Sequence, residues 1–125
     1  MKKMLIVEDD DLSINVIRRI FRDDFELDSC ESAEEYYEKY SNYNFDIIIM
    51  DISLKGTEDG LKLIREIKAS PSFIGTPILC LTAHVQTTIR QTAIESGSDL
   101  FMTKPVSNKI LKEAVEHLLQ SVIKK

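Results

Sequence analysis

Four short apolar runs in this chain each stop at a chemically pointed side chain. Leu5-Ile6-Val7 gives way to Glu8 and Asp9, Ile47-Ile48-Ile49-Met50 to Asp51, Ile78-Leu79-Cys80-Leu81 to Thr82, and Leu100-Phe101-Met102 comes just before Lys104. Runs without polar alternation suit strands of a parallel sheet covered on both faces, and such sheets bind ligands beyond the carboxyl ends of their strands. The four polar ends would then meet along one edge. That pattern limits both the fold and the chemistry.

The rest of the chain fits this reading. Apolar periodicity predicts strands near residues 3–8, 25–30, 45–51, 77–82 and 100–103, alternating with helices near 12–22, 32–42, 59–69, 86–96 and 107–123. Five βα units with short connections make an α/β fold, a doubly wound parallel sheet. Ser32 and Glu35 form a capping-box pattern, after which Tyr36, Tyr37 and Tyr40 are expected on one helix face as a core edge. Gly97 stands where a left-handed helix end belongs, and Ser107 is a natural N-cap. The last helix carries Ile110, Leu111, Ala114, Val115, Leu118, Leu119 and Val122 toward the sheet. On the first helix Leu12, Val16 and Ile20 are expected to face the sheet, which leaves Ile14 and Ile17 as candidate contacts for a partner.

With 125 residues, 43% hydrophobic and 30% charged, one domain over residues 1–125 with a full core is expected. The sequence ends with the last helix, so no output domain is expected, and Met1 favours a stand-alone or amino-terminal module. A net charge of -5 offers no basic stripe to displace phosphate counterions, which argues against direct nucleic-acid binding. No apolar stretch is long enough to span a membrane, and Met1-Lys2-Lys3 is followed too soon by acidic residues to start a signal peptide. Cys30 and Cys80 fit neither a disulfide framework nor a zinc spacing and read as reduced core thiols of a cytoplasmic protein.

Glu8, Asp9 and Asp51 would lie close together if the first and third strands are neighbours. Two unit charges about 4 Å apart repel by roughly 4 kcal/mol at an effective dielectric near 20, so such a cluster calls for a cation. Oxygen donors and room for water favour Mg²⁺ or Mn²⁺ over zinc. Asp51 is the best nucleophile candidate, because a carboxylate needs no deprotonation at neutral pH. Thr82 and Lys104 are placed to hold the other oxygens of a phosphoryl group. Asp10 and Asp11 read as helix capping and dipole complementation.

With these residues assembled, the chain resembles the response-regulator receiver domain of two-component signalling, the CheY-like superfamily. The matching segments are Leu5 to Asp10, Asp46 to Asp51, Asp59-Gly60-Leu61, Leu81-Thr82-Ala83 and Lys104-Pro105, in order and covering nearly the whole chain. The resemblance implies a flavodoxin-like strand order 2-1-3-4-5 with helices on both faces. It implies that Asp51 accepts a phosphoryl group from a histidine kinase or histidine phosphotransfer protein, in a two-component system or phosphorelay. Glu8, Asp9, Asp51 and the Ser53 carbonyl would hold Mg²⁺, Thr82 and Lys104 would contact the phosphoryl oxygens, and Lys104-Pro105 would be cis. Such a chain is a switch rather than an enzyme, apart from phosphorylating and dephosphorylating itself. Thr82 would move toward the phosphoryl group and Phe101 would turn inward. The altered surface near residues 86–96, Phe101 and 107–123 would meet a downstream protein.

The chain departs from the family pattern in places. The loop after Asp51 lacks a frequent proline and carries about one extra residue, Phe101 replaces a frequent tyrosine, and Ser53 and His84 stand where the family controls water access to the acyl phosphate. The competing readings are weaker. A haloacid-dehalogenase-type phosphohydrolase wants an aspartate where Ser53 stands, and a flavin-binding module wants a Ser/Thr/Gly-rich loop where Glu8 to Asp11 stand. A pseudo-receiver would not need the complete set Glu8, Asp9, Asp51, Thr82 and Lys104. A receiver module excised from a larger regulator or hybrid kinase fits the sequence as well.

Overall fold

A computed structural model describes residues 1–52, 60–83 and 87–123. The elements alternate along the chain. They are β1 (Lys2–Val7), α1 (Asp11–Phe21), β2 (Phe25–Cys30), α2 (Ala33–Lys39), β3 (Ile47–Met50), α3 (Gly60–Ala69), β4 (Ile78–Thr82), α4 (Thr87–Ser96), β5 (Leu100–Thr103) and α5 (Asn108–Ile123). All strand pairs are parallel and their order is β2-β1-β3-β4-β5, as the resemblance implies.

The uninterrupted apolar runs are explained by burial on both faces. Alternate residues Met4, Ile6, Ile47, Ile49, Leu79 and Leu81 pack against Ile14, Ile17 and Phe21 of α1 and Leu111, Val115 and Leu118 of α5. Their neighbours Leu5, Val7, Ile48, Met50 and Ile78 pack against Ala33 and Tyr36 of α2 and Leu63, Ile64 and Ile67 of α3. A strand with apolar partners on both sides has no position where a polar residue is welcome until it ends. Cys30 and Cys80 are free thiols in this core.

The caps follow the sequence signals. Asp10 accepts from the Ser13 backbone N–H at 3.0 Å, Ser32 from that of Glu35 at 3.1 Å, and Ser107 from that of Ile110 at 3.1 Å. Glu35 returns its bond to Glu31 N–H at 2.7 Å rather than to the cap residue itself. Gly97 has φ of 116°, a left-handed conformation that a side chain rarely adopts.

Three expectations about helix faces are corrected, one of them being Ile110 of α5, expected toward the sheet but 53% exposed. On α1 the buried stripe is Ile14, Ile17 and Phe21, while Leu12 and Val16 are 73% and 49% exposed. Both stripes have helical spacing, and Phe21 decides between them by packing edge-on against Phe25 at the start of β2. On α2, Tyr36 is buried but Tyr37 turns outward to Glu66, because adjacent helical residues point about 100° apart and only one of the two can face the sheet.

Candidate functional site

Strand register builds the site. Val7 pairs with Met50, so Glu8 and Asp51 come next on adjacent strands, and the backbone ladder continues through Glu8 N–H to Cys30 C=O at 3.0 Å and Asp51 N–H to Val7 C=O at 2.9 Å. On the other side Thr82 pairs with Thr103, and Lys104 N–H donates to Thr82 C=O at 2.8 Å. The Lys104-Pro105 bond is cis, as the resemblance implies.

Asp51 lies between a hydroxyl and an ammonium. Thr82 Oγ1 donates to Asp51 Oδ1 at 3.0 Å, and Lys104 Nζ donates to Asp51 Oδ2 at 3.3 Å. Lys104 also donates to Glu8 Oε1 and to Ser13 Oγ, the latter at 3.2 Å. Glu8 and Asp51 are both buried, with 2% and 8% of their surface exposed. Glu8 Oε2 accepts from the backbone N–H groups of Asp9 at 3.0 Å and Asp10 at 3.3 Å, which fixes the orientation of its carboxylate.

Burial pushes the Glu8 carboxyl up to about 7, helped by the Asp51 charge and opposed by Lys104. For Lys104 burial works against the ammonium, but its hydrogen bond to Glu8 and the charges of Glu8 and Asp51 outweigh that and hold its pKa above the ordinary value. Among the described residues one cation, Lys104, therefore serves two buried carboxylates, which leaves the site rich in negative charge.

That donor set fits a hard divalent cation. Its ligands would be carboxylate oxygens, and Asp9 is only partly buried and open to a hydrated ion. Among the described residues no three metal-binding side chains already converge on one point. Ser53 and His84 lie outside the described residues.

One participant was not read from the sequence, and another entered only within the Asp59-Gly60-Leu61 match. Ser13 relays between Lys104 and Asp10, donating to Asp10 Oδ2 at 2.8 Å, and its only sequence signal is a position three residues after an N-cap. Gly60 N–H donates to Ile52 C=O at 3.0 Å, and a Cβ on Gly60 would stand 2.4 Å from the Asp51 carbonyl oxygen. Any other residue there would push the backbone that carries Asp51. The Phe101 ring is buried at 8% exposure against Ile52, Cys80 and Ala93, and among the described residues Ile94 of α4 and Ile110 of α5 are exposed apolar side chains on the neighbouring helices.

The family model for the response regulator receiver domain matches residues 4–116. This chain belongs to that family. The receiver is 30% identical over 119 residues to the chemotaxis protein CheY of Halobacterium salinarum, covering 94% of this chain and 97% of that protein. It is 34% identical over 119 residues to the regulatory protein VanRB of Enterococcus faecalis, covering 94% of this chain and 52% of that one. The receiver spans about half the length of VanRB and of several other curated relatives. Among solved structures, the signal receiver domain of a histidine kinase from Syntrophus aciditrophicus superposes with a TM-score of 0.89 at 26% identity, covering 100% of this chain and 95% of that one. The fold and the two-component signalling class follow from these matches. No helix among the described residues is long and apolar enough to cross a membrane.

Proposed function

We propose that this receiver is a phosphorylatable switch whose acceptor is Asp51, loaded by a histidine kinase or histidine phosphotransfer protein. The observation that carries the reading is the placement of Asp51 between Thr82 and Lys104, at 3.0 and 3.3 Å, on the edge where Glu8 and Asp9 also emerge. An Asp51 carboxylate oxygen attacks the phosphorus of a phosphohistidine. A P–O bond forms, the P–N bond breaks, and the imidazole nitrogen keeps the electron pair and is protonated by solvent. Lys104 and Thr82 then turn from the carboxylate to the phosphoryl oxygens, charge-assisted donors being the strongest available for that task.

Glu8, Asp9, Asp51 and the Ser53 carbonyl would hold Mg²⁺ or Mn²⁺. When bound, the ion offsets the negative charge that the phosphoryl group adds to a site already carrying buried carboxylates. Glu8 contributes by fixing Lys104, and through it the direction of the ammonium. Output leaves by protein contact on the side of α4, β5 and α5, in the cytoplasm and without direct nucleic-acid contact, consistent with the net charge of -5.

The test is chemical. After treatment with acetyl phosphate and Mg²⁺, borohydride reduction of an aspartyl phosphate yields homoserine, and peptide mass spectrometry locates it. Homoserine at position 51 supports the reading, whereas homoserine at Asp9 or Asp10 alone, or none, overturns it.

A further inference from the structure

Helix α4 is held unevenly. Of its described side chains only Ala93 and Ser96 are buried, Ile89 is half-buried, and Ile94 is 46% exposed. Its amino-terminal half contributes just Ile89 to the small cluster of Ile52, Cys80, Ala93 and Phe101. Its carboxyl-terminal end is tied at several points. Arg65 Nη1 donates to Ser96 Oγ at 3.1 Å, and Ser96 Oγ in turn donates to Thr92 C=O at 2.7 Å.

One turn further along α3, Lys68 Nζ pairs with Asp99 Oδ2 at 3.0 Å, and the same oxygen accepts from Ile78 N–H at 2.8 Å. Asp99 N–H donates back to Ile78 C=O at 2.8 Å, so the turn is bonded to the start of β4 as well. The Lys68 stem runs beneath Gly97 so closely that a Cβ there would meet its Cγ at 2.9 Å, and its ammonium lies 4.9 Å from the Phe73 ring centroid. Lys68 and Arg65 are three residues apart, which places both on the side of α3 that faces α4.

We propose that Arg65 and Lys68 are positioning residues that fix the carboxyl-terminal end of α4 as a pivot, so that events at Asp51 move its amino-terminal half alone. On the Thr82 side of β4 the first described side chains of α4 are Thr88, exposed, and Ile89, half-buried, while the Ile78 end leads back to the pinned turn. A push from Thr82 therefore meets little resistance at residues 87–92 and strong resistance at 96–99. Among the described side chains of α4 only Ala93 and Ile89 join an apolar cluster, so these polar ties add to a small packing contact. The inference deepens the proposed switch and rests on it for the analogue arm of its test.

Amide exchange and NMR shifts are measured on the full chain with Mg²⁺, with and without beryllofluoride as the phosphoryl analogue. The parent is expected to show analogue-dependent shifts at residues 87–92 and none at Ser96 to Asp99. Arg65→Ala and Lys68→Ala should let the shifts spread through Asp99, and Lys68→Arg, which keeps a cation for Asp99, should confine them again. A purely structural role would lower stability without redistributing the shifts. Parent shifts as large at Ser96 to Asp99 as at 87–92, or alanine variants with the parent's confined pattern, would overturn the pivot. If beryllofluoride shifts nothing in the parent, the acceptor reading fails, and the pivot is judged from exchange without analogue. The alanine variants must then lose protection severalfold at Gly97, Ser98 and Asp99, and unchanged protection refutes it.

Discussion

Lys104 Nζ lies 3.3 Å from Asp51 Oδ2 while donating also to Glu8, so a single ammonium links the ends of three strands, β1, β3 and β5. The residue that would grip a phosphoryl group is thus also the one that keeps two buried carboxylates tolerable. Lys104→Met leaves Glu8 and Asp51 without that cation, and a loss of about 1–3 kcal/mol is expected at neutral pH. Glu8→Gln in the same chain should cost less than additivity predicts, because the partners share one interaction. Urea unfolding of the two single variants and the double variant measures this, and strictly additive losses would show that the pair does not interact.

Divalent cation should stabilise the fold by mass action, since only the folded state gathers Glu8, Asp9 and Asp51. With Mg²⁺ tenfold above its dissociation constant the gain is about 1.4 kcal/mol. Asp9→Ala should abolish most of that gain and, without metal, should be neutral or stabilising because a like charge is gone. Thermal melts with and without Mg²⁺ decide it. Strong destabilisation by Asp9→Ala in metal-free buffer would point to a structural role instead.

Leu12 and Val16 are the exposed residues of α1, and Ile14 and Ile17 are its anchors. Ile14→Ala or Ile17→Ala should cost about 2–4 kcal/mol, whereas Leu12→Ala or Val16→Ala should stay within about 0.5 kcal/mol. Chemical denaturation of the four variants checks the assignment, and the opposite ranking would invert the helix.

The contrast between strands and helix faces shows what the sequence could carry. Ile47 to Met50 are apolar without a break because both sheet faces are covered, and so short a β-branched run reads as a buried strand rather than a helix. The ends of those runs therefore gave Glu8, Asp51, Thr82 and Lys104 directly. On α1 the stripes Leu12/Val16/Ile20 and Ile14/Ile17/Phe21 satisfy the same periodicity, so choosing between them needs the position of Phe25 on a neighbouring strand. Ser13 and the ties from α3 to α4 were illegible for a related reason. Ser13 meets a lysine 91 residues away, and Arg65 meets a serine 31 residues away, contacts that no local spacing encodes. The inward Phe101 agrees with simple burial of a ring that lacks the tyrosine hydroxyl.

Burial pushes the thiols of Cys30 and Cys80 up to about 12, with the charges of Glu35 and Asp51 adding to the effect. Unfolded thiols titrate near 9.0, so both are held protonated by folding. The stability this brings is complete below pH about 9 and is lost as pH rises toward 12, at about 1.4 kcal/mol per unit for each thiol. A thiol reagent at pH about 8 should therefore find neither cysteine in the native protein and both after denaturation. Replacing either one with alanine should flatten the alkaline fall in unfolding free energy. Rapid native labelling of either cysteine would contradict the burial argument.

The central claim is that Asp51 is the phosphoryl acceptor, and intact-mass measurement tests it most directly. The chain and its Asp51→Asn variant are treated with acetyl phosphate and Mg²⁺, and circular dichroism confirms that both are folded. The account predicts that the parent gains the mass of one phosphoryl group and loses it again on standing or with hydroxylamine, while Asp51→Asn gains none or only a trace on a neighbouring carboxylate. An undiminished mass gain in Asp51→Asn, or no gain in the parent at saturating donor, would contradict it.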